Sequence, residues 1–287
     1  LTALYPNRHF ERVIVQTLGD QDKTTPLAEL GGKGIFIKGL EQALLDHKID
    51  IAVHSAKDLT SALHSDLDVS VVLAPESVVD TMVFTSGATS IDDLPENAVI
   101  ATSSLRRKAL LQEWLPSISV VDIRGNVETR LQRAEENGYD AVLLSKAGLM
   151  RLGLTNLPAH PCDPKQFIPA PSQGVIAIEH RKTDSTMRQI CNALNHKRQF
   201  ILFAIERQIL ATIGFDCTVP LGLFSEFSTD NGGNDHEQEI TMHAFISNYQ
   251  LTQSNRSRVT FSNLYDDTGI DRFAKSLRDW LDQHDTR

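Results

Sequence analysis

Two adjacent arginines stand where a helix is expected to begin. Arg106 and Arg107 follow Ser103 and Ser104 in TSSLRRKALLQEWL, where one of the serines is the expected N-cap. Backbone N–H groups make the first turn of a helix positive, so two further cations there are unfavourable unless an anion binds between them. The pattern therefore predicts an anion site.

Two more arginines extend this pattern. Arg124 ends the predicted strand ISVVDIR, and Arg130 lies in the helix that follows it. A guanidinium group matches a carboxylate with two parallel hydrogen bonds, so the group favours a ligand rich in carboxylates. Phosphate is the alternative, although the sequence has no GxxxxGK[ST] loop; GGKG (31–34), with Lys33, is as consistent with a simple loop. Solvated surface charge remains the simplest alternative for any one arginine.

Asp58 and Cys217 are the other candidates for chemistry. Asp58 follows a predicted strand in HSAKDL, where a carboxylate could stabilise a transient cation or move a proton; a turn or cap aspartate is the alternative. We interpret His54 of the same stretch as a hydrogen-bonded structural residue. Cys217 lies in the polar stretch GFDCTVPLG and is a candidate nucleophile or covalent attachment point, against a buried inert thiol.

Composition excludes several classes of protein. The chain has 287 residues and a net charge of -9, which argues against general nucleic-acid binding. No apolar run is long enough to span a bilayer, and no signal peptide opens the chain. The three cysteines lack metal-binding spacing, so we expect no metal and a reducing, cytoplasmic location. The chain opens on Leu1, and we expect an N-terminal segment to precede it.

The elements needed to position these residues can be read from periodicity. Strands alternate with helices from about 30 to 150, which is typical of an open, largely parallel α/β sheet, and 98–150 reads as β-α-β-α-β. A proline-rich loop (160–174), a strand, a long helix (196–214) and a small α+β region with strands at 239–247 and 257–263 and a helix at 271–284 follow. Several polar clusters come directly after strands, which predicts one shared cleft. These clusters are HSAKD, TSSLRR, RGN and SKAG.

The chain resembles the porphobilinogen deaminase family in blocks that occur in family order between positions 17 and 222. The blocks are TLGD (17–20), GGKGIFIKGLEQALL (31–45), DIAVHSAKDL (50–59), TSSLRR (102–107), RGNVETRLQ (124–132), KAGLMRLGL (146–154), PAPSQGVIAIEHR (169–181) and DCTVPLG (216–222).

The resemblance implies an α/β fold of three domains. Two lobes similar to those of periplasmic binding proteins, with mixed or parallel sheets, would flank a cleft, and a small C-terminal α+β domain would carry the cofactor cysteine. We expect the first domain to span 1–74 and 175–195, the second 75–174 and the third 196–287. The first strand and helix of the family, which carry an arginine and a serine that touch substrate, are not among these residues.

The resemblance also implies a transferase of tetrapyrrole (haem) biosynthesis. Four porphobilinogens would be deaminated and joined head to tail on a dipyrromethane primer, and hydroxymethylbilane would be released. Cys217 would hold the primer through a thioether, and Asp58 would be the catalytic carboxylate. The residues implied to bind cofactor are Lys33, Lys57, Ser104, Arg106, Arg107, Arg124, Arg130 and Gly148. Those implied to bind substrate are Phe36, Arg151 and Gln173.

The physical interpretation of the arginines agrees with that reaction. Each added ring brings carboxylates into the protein, and their burial requires cationic partners. The family implies a cytoplasmic monomer that binds the small molecule porphobilinogen and needs no nucleic acid, membrane or metal. Two alternatives stay open: a two-lobed protein that only binds a small polyanion, and a weakened deaminase, because Phe215 and Asp216 replace small residues before Cys217.

Overall fold

The computed structural model describes residues 1–15, 37–214, 219–228, 239–262 and 266–285. Within these residues the strands form three sheets, with orders β1-β8-β2, β5-β4-β6-β3-β7 and β11-β10-β9. The strands β1 to β11 are, in order, Ile51–Ser55, Leu67–Val72, Asp80–Phe84, Val99–Ala101, Ser119–Val121, Ala141–Ser145, Ala159–Pro161, Ile176–Arg181, Leu221–Phe227, Ile240–Ser247 and Ser254–Phe261. The helices α1 to α7 are, in order, Lys38–Leu45, Leu105–Trp114, Val127–Glu136, Lys146–Arg151, Ser185–Asn192, Lys197–Ile213 and Asp267–His284.

The first sheet is antiparallel and places β8 between β1 and β2. Its apolar side chains, among them Val72 and Ala177, pack with Phe203 of α6 in one buried cluster. Burial of such side chains is the main stabilising contribution to a sheet of this kind. β1 ends at Ser55, and the chain turns there into a short 3-10 helix, Ala56–Asp58.

The five-stranded sheet confirms part of the expected topology. β4 pairs in parallel with both β5 and β6, as the β-α-β-α-β pattern predicts. β3 runs antiparallel to β6 and to β7, so the expectation of a largely parallel sheet is wrong for this edge. The connection from β3 to β4 contains only a 3-10 turn (Ile91–Asp93), and no helix crosses the sheet there to bring the strand back in parallel.

The third sheet is antiparallel and lies between helices. One face packs on α6 and α7, where Ile205 and Leu277 are buried together with Met242 of β10. On the other face Phe245 of β10 joins Leu110 of α2 in the core of the five-stranded sheet. Two-sided contact explains why every residue of β10 is buried. The predicted strands and helix of this region are confirmed; β9, α4 and α5 were not predicted.

Two crossing segments join the first two sheets and meet at one glycine. Residues 73–79 lead from β2 to β3, and residues 162–175 lead from β7 back to β8. Gly174 has φ +84°, and a Cβ placed there would lie 2.1 Å from the carbonyl oxygen of Ser77. The backbones approach this closely because glycine has no side chain. Among the helices of the described ranges, none is long and apolar enough to cross a membrane.

Candidate active site

Asp58 occupies the end of the 3-10 helix that follows β1. Ala56 is buried and its N–H donates to the carbonyl of Val175 at 3.0 Å, which fixes the start of the turn. The Asp58 residue is exposed to solvent, yet desolvation by the surrounding protein raises the pKa of its carboxyl group. The Asp58 carboxyl group is therefore open to water on one side and bordered by protein on another.

Basic side chains beside two sheets act on the charge of Asp58. Lys57, Arg130 and His54 each oppose the rise in its pKa, so they lie close enough for their charges to act on it. Desolvation lowers the pKa of Lys57 to about 8 and that of Arg130 to about 10. Arg130 belongs to α3 beside the five-stranded sheet, whereas Asp58 follows the first sheet. The polar strand ends therefore meet between the two sheets, as predicted.

Arg106 and Arg107 have an anion between them, and it is Asp80 of the protein itself. Arg106 Nη1 donates to Asp80 Oδ2 at 2.7 Å, and Arg107 Nη2 donates to Asp80 Oδ1 at 2.6 Å. Although burial raises the pKa of Asp80, the two arginines lower it far below its ordinary range. Asp80 opens β3, and all three side chains are buried. The sequence argument required an anion here but did not identify this carboxylate.

Gln173 connects this buried cluster to Lys57. Its Nε2 donates to Asp80 Oδ1 at 3.0 Å and to the carbonyl of Val78 at 2.8 Å. Its Oε1 accepts from Lys57 Nζ at 3.5 Å. One amide thus links the crossing segment, the start of β3 and the turn that carries Lys57 and Asp58.

The remaining cationic candidates lie on the same side of the five-stranded sheet. Arg130 Nε donates to the carbonyl of Gly125 at 2.7 Å, which orients the guanidinium at the start of α3. Arg124 contributes to the lowered pKa of Arg130, so the two side chains are neighbours. Arg151 Nη2 donates to the carbonyl of Gly174 at 2.8 Å, at the meeting point of the crossing segments.

Two small residues shape helix starts at this edge. Ser104 is the N-cap of α2, and its Oγ accepts from the N–H of Arg107 at 3.4 Å. Gly148 lies in α4, where an added Cβ would be 3.1 Å from Oγ of the N-cap Ser145 and 3.4 Å from Val127. A larger residue at this position would press against both helix starts.

Three of the predicted site residues, Lys33, Phe36 and Cys217, lie outside the described residues. Of the other thiols, Cys162 and Cys191 are free and buried, and desolvation raises the pKa of both. No group of side chains suited to holding a metal ion occurs in the described part of the chain.

Several contributing residues escaped the sequence analysis. Asp80 begins a wholly buried strand, DTMVF, in which most residues are apolar, and an acid in that setting is a signal that was available. Glu206 and Arg207, on α6, contact loops of the site and gave no local signal. The structural role of His54 is confirmed, since its Nε2 lies 2.9 Å from Oε2 of the buried Glu179.

The described residues form an α/β protein in which an accessible carboxylate and several basic side chains meet between two sheets. A family model described as "Porphobilinogen deaminase, dipyromethane cofactor binding domain" matches residues 1–189. The chain belongs to the porphobilinogen deaminase family.

Curated relatives agree with this assignment. The porphobilinogen deaminase of Rickettsia bellii (strain OSU 85-389) is 40% identical over 253 residues, covering 85% of this chain and 84% of the relative. That of Streptococcus sanguinis (strain SK36) is 37% identical over 229 residues, covering 79% and 75%.

Solved structures are similar to this chain at lower sequence identity. A double mutant of the VFT2 domain of BvgS from Bordetella pertussis is 16% identical, with a TM-score of 0.35 over 58% of this chain and 72% of that one. A periplasmic binding protein of Salmonella typhimurium is 18% identical, with a TM-score of 0.33 over 56% and 71%.

Proposed function

We propose that this chain is a hydroxymethylbilane synthase, a transferase that joins four porphobilinogens head to tail on a dipyrromethane primer. Family membership over most of the chain is one support. The single structural observation that carries the proposal is the solvent-accessible Asp58, set between Lys57 and Arg130 in the cleft.

The side chains present fit the chemistry of the primer. Carboxylate substituents on pyrrole rings need cations, and Lys57, Arg124 and Arg130 supply them at the cleft. A pyrrole N–H needs an acceptor, and Asp58 supplies one. When bound, the dipyrromethane provides a nucleophilic pyrrole carbon on a covalent tether, which we assign to Cys217.

Each described residue then has a distinct part. Asp58 accepts from pyrrole N–H groups and stabilises the positive charge that develops on porphobilinogen as ammonia leaves. Lys57 and Arg130 bind carboxylates and favour the ionised form of Asp58. Gln173 holds the ammonium group of Lys57. Asp80 and backbone carbonyls keep Arg106 and Arg107 fixed in the cleft wall.

The other assignments follow the family motifs. Arg151 is assigned to the substrate site, and Ser104 and Gly148 to the cofactor site through the helix starts they shape. Lys33 and Phe36 are assigned to cofactor and substrate respectively. The proposal also includes the three domains at the boundaries given above and a cytoplasmic monomer that needs neither nucleic acid nor membrane.

Intact-protein mass spectrometry tests the proposal. Protein expressed with porphobilinogen available is expected to carry an excess mass of two pyrrole units, and Cys217→Ser is expected to lack it. Cys162→Ser is the matched control, because this thiol is buried and its raised pKa makes it unreactive. An unmodified wild-type chain that also forms no hydroxymethylbilane would contradict the proposal, and an excess mass that survives Cys217→Ser would contradict the assigned tether.

A further inference from the structure

Arg207 of α6 reaches the loop that comes directly after Asp58. Its guanidinium donates to three consecutive backbone carbonyls: Leu59 at 3.4 Å, Thr60 in a short contact, and Ser61 at 3.0 Å. Desolvation lowers the pKa of Arg207 to about 10, so the group stays charged at neutral pH. A forked, charged donor that holds several carbonyls of one loop restrains the path of that loop.

These contacts complete the support of the 3-10 helix. On its N-terminal side, the N–H of Ala56 donates to the carbonyl of Val175. On its C-terminal side, the N–H of Leu59 donates to the carbonyl of Ala56, and Arg207 holds the carbonyls that follow. The side chains of Lys57 and Asp58 project from the turn between these two anchors.

The helix that carries Arg207 ends shortly before the proposed attachment cysteine in the sequence. α6 ends at Ile213, and Gly214 caps it in the left-handed conformation, three residues before Cys217 in the sequence. Arg207 therefore connects the loop of the catalytic carboxylate to the helix that immediately precedes the attachment cysteine.

We propose that Arg207 is a positioning residue that fixes Asp58 with respect to α6, the helix that precedes Cys217 in the sequence. This inference rests on the proposed function. Arg207 acts on the reaction through the backbone at 59–61, whereas the cations of the cleft act on the ligand directly.

The test compares Arg207→Lys with Arg181→Lys in the full-length protein. Arg181 is a matched control, because it also donates to two backbone carbonyls, Leu44 at 2.9 Å and Ile49 at 2.7 Å, at the opposite end of β1. Lysine keeps the charge and loses the fork in both variants. We expect kcat to fall about 10- to 100-fold in Arg207→Lys, since small misplacements of a reacting group have effects of this size.

The Michaelis constant separates positioning from general damage. KM is expected to change less than kcat in Arg207→Lys, because Arg124 and Arg130 do not depend on this loop and only Lys57 is carried by the same turn. In Arg181→Lys, kcat is expected to stay within about twofold of wild type. Equal losses of kcat in the two variants would overturn the proposal, as would an unchanged kcat in Arg207→Lys.

Hydrogen exchange gives a readout that needs no catalysis. Amides of the peptide 56–61 are expected to exchange faster in Arg207→Lys, and those of 44–50 in Arg181→Lys. Unchanged exchange at 56–61 would overturn the positioning role even if the deaminase activity were confirmed. A different result concerns the proposed function alone. If the wild-type chain shows no deaminase activity while residues 56–61 still exchange faster in Arg207→Lys than in wild type, the proposed function fails and the restraint of the loop by Arg207 stands. Arg207→Gln, which keeps a neutral donor, serves for both measurements if Arg207→Lys does not fold.

Discussion

At the residue scale, the properties of the site depend on the solvent exposure and the pKa of Asp58. Its carboxyl group is reached by solvent, desolvated by the cleft wall and opposed by nearby cations. Desolvation raises its pKa, while Lys57, Arg130 and His54 keep the rise in check. The Asp58 carboxyl group therefore keeps a raised pKa, and in its ionised form it is suited to stabilising a cation that forms beside it.

Asp58→Asn is expected to remove most of the activity without unfolding the protein. The amide has the shape of the carboxylate but no negative charge, so kcat is expected to fall by about 10²- to 10⁴-fold. The free energy of unfolding is expected to stay level or rise, because the partly desolvated charge is gone. Steady-state kinetics and denaturant unfolding measure the two quantities. Asp68→Asn, on β2 of the same sheet, is the control, and wild-type turnover in Asp58→Asn would remove Asp58 from catalysis.

The lowered pKa of Lys57 predicts that ligand binding weakens at alkaline pH. Its pKa, lowered by desolvation to about 8, means that the ammonium charge is lost as pH rises through about 8. A ligand rich in carboxylates then binds less well, so kcat/KM is expected to fall above that pH. In Lys57→Arg the cation persists, and the fall is expected to move to higher pH. Profiles of kcat/KM from pH 6 to about 10 check this; superimposable profiles would contradict it.

At the element scale, the two crossing segments are joined at Gly174. The N–H of Glu76 donates to the carbonyl of Gly174, and Arg151 donates to the same oxygen. Gln173, one residue earlier, holds Lys57 and Asp80. The geometry of the crossing therefore sets the geometry of the site.

Gly174→Ala is expected to disturb both stability and activity. The added methyl group would lie 2.1 Å from the carbonyl oxygen of Ser77. In addition, the backbone φ of +84° at position 174 is unfavourable for alanine. We expect a loss of about 3 kcal/mol or more in the free energy of unfolding, measured in denaturant. Gly138→Ala is the control: φ is +65° and nothing lies within 4 Å, so only the backbone cost of about 1–2 kcal/mol applies. Equal losses would show that the close approach is unimportant.

At the scale of the whole molecule, one buried carboxylate joins three parts of the chain. Glu206 of α6 accepts from the N–H of Ser172 at 2.6 Å in the crossing segment. It also accepts from the N–H of Ser225 at 3.2 Å and from the hydroxyl of that residue at 2.5 Å, on β9. Burial raises the pKa of Glu206 to about 7, although the two serines lower it.

This raised pKa predicts a pH dependence of folding. The native state binds the proton of Glu206 more tightly than the unfolded chain, whose ordinary value is 4.5. The associated stability is fully present below about pH 4.5 and is lost as pH rises through about 7. Glu206→Gln lacks this titration. The difference in unfolding free energy between wild type and variant is expected to change by up to about 3 kcal/mol over that range, measured in denaturant at several pH values. A constant difference would contradict the assignment.

An ion pair between the third sheet and α2 contributes little to the free energy of unfolding. Arg256 of β11 pairs with Glu113 of α2 at 2.6 Å and donates to the carbonyl of Gln166. Both side chains are partly exposed, and such pairs contribute about 0–1 kcal/mol. The buried apolar contact of Phe245 with the core around Leu110 is therefore the stronger connection between the third sheet and the five-stranded sheet.

The sequence by itself determined the local elements and the residues able to do chemistry. Alternation of apolar residues located β1. A helix N-cap at Ser103 or Ser104 was predictable because capping depends on neighbours three residues away, and the structure has Ser104 as the cap. The polar strand ends indicated a shared cleft, and the motifs carried the family resemblance. The strands and the helix N-cap depend on neighbouring residues in the sequence. The shared cleft follows from parallel strands that end at the same edge of a sheet.

Only the tertiary structure decided which charges meet. Asp80 lies 26 residues from Arg106, and Arg207 lies 146 residues from Ser61, so no periodicity could pair them. The antiparallel edge at β3 was also not predicted, because its place beside β6 and β7 depends on how distant segments pair. A buried charge is stable only beside a partner, and the identity of that partner depends on how distant segments fold against each other. For this reason the sequence of Arg106 and Arg107 predicts a nearby anion, and only the tertiary structure shows that this anion is Asp80.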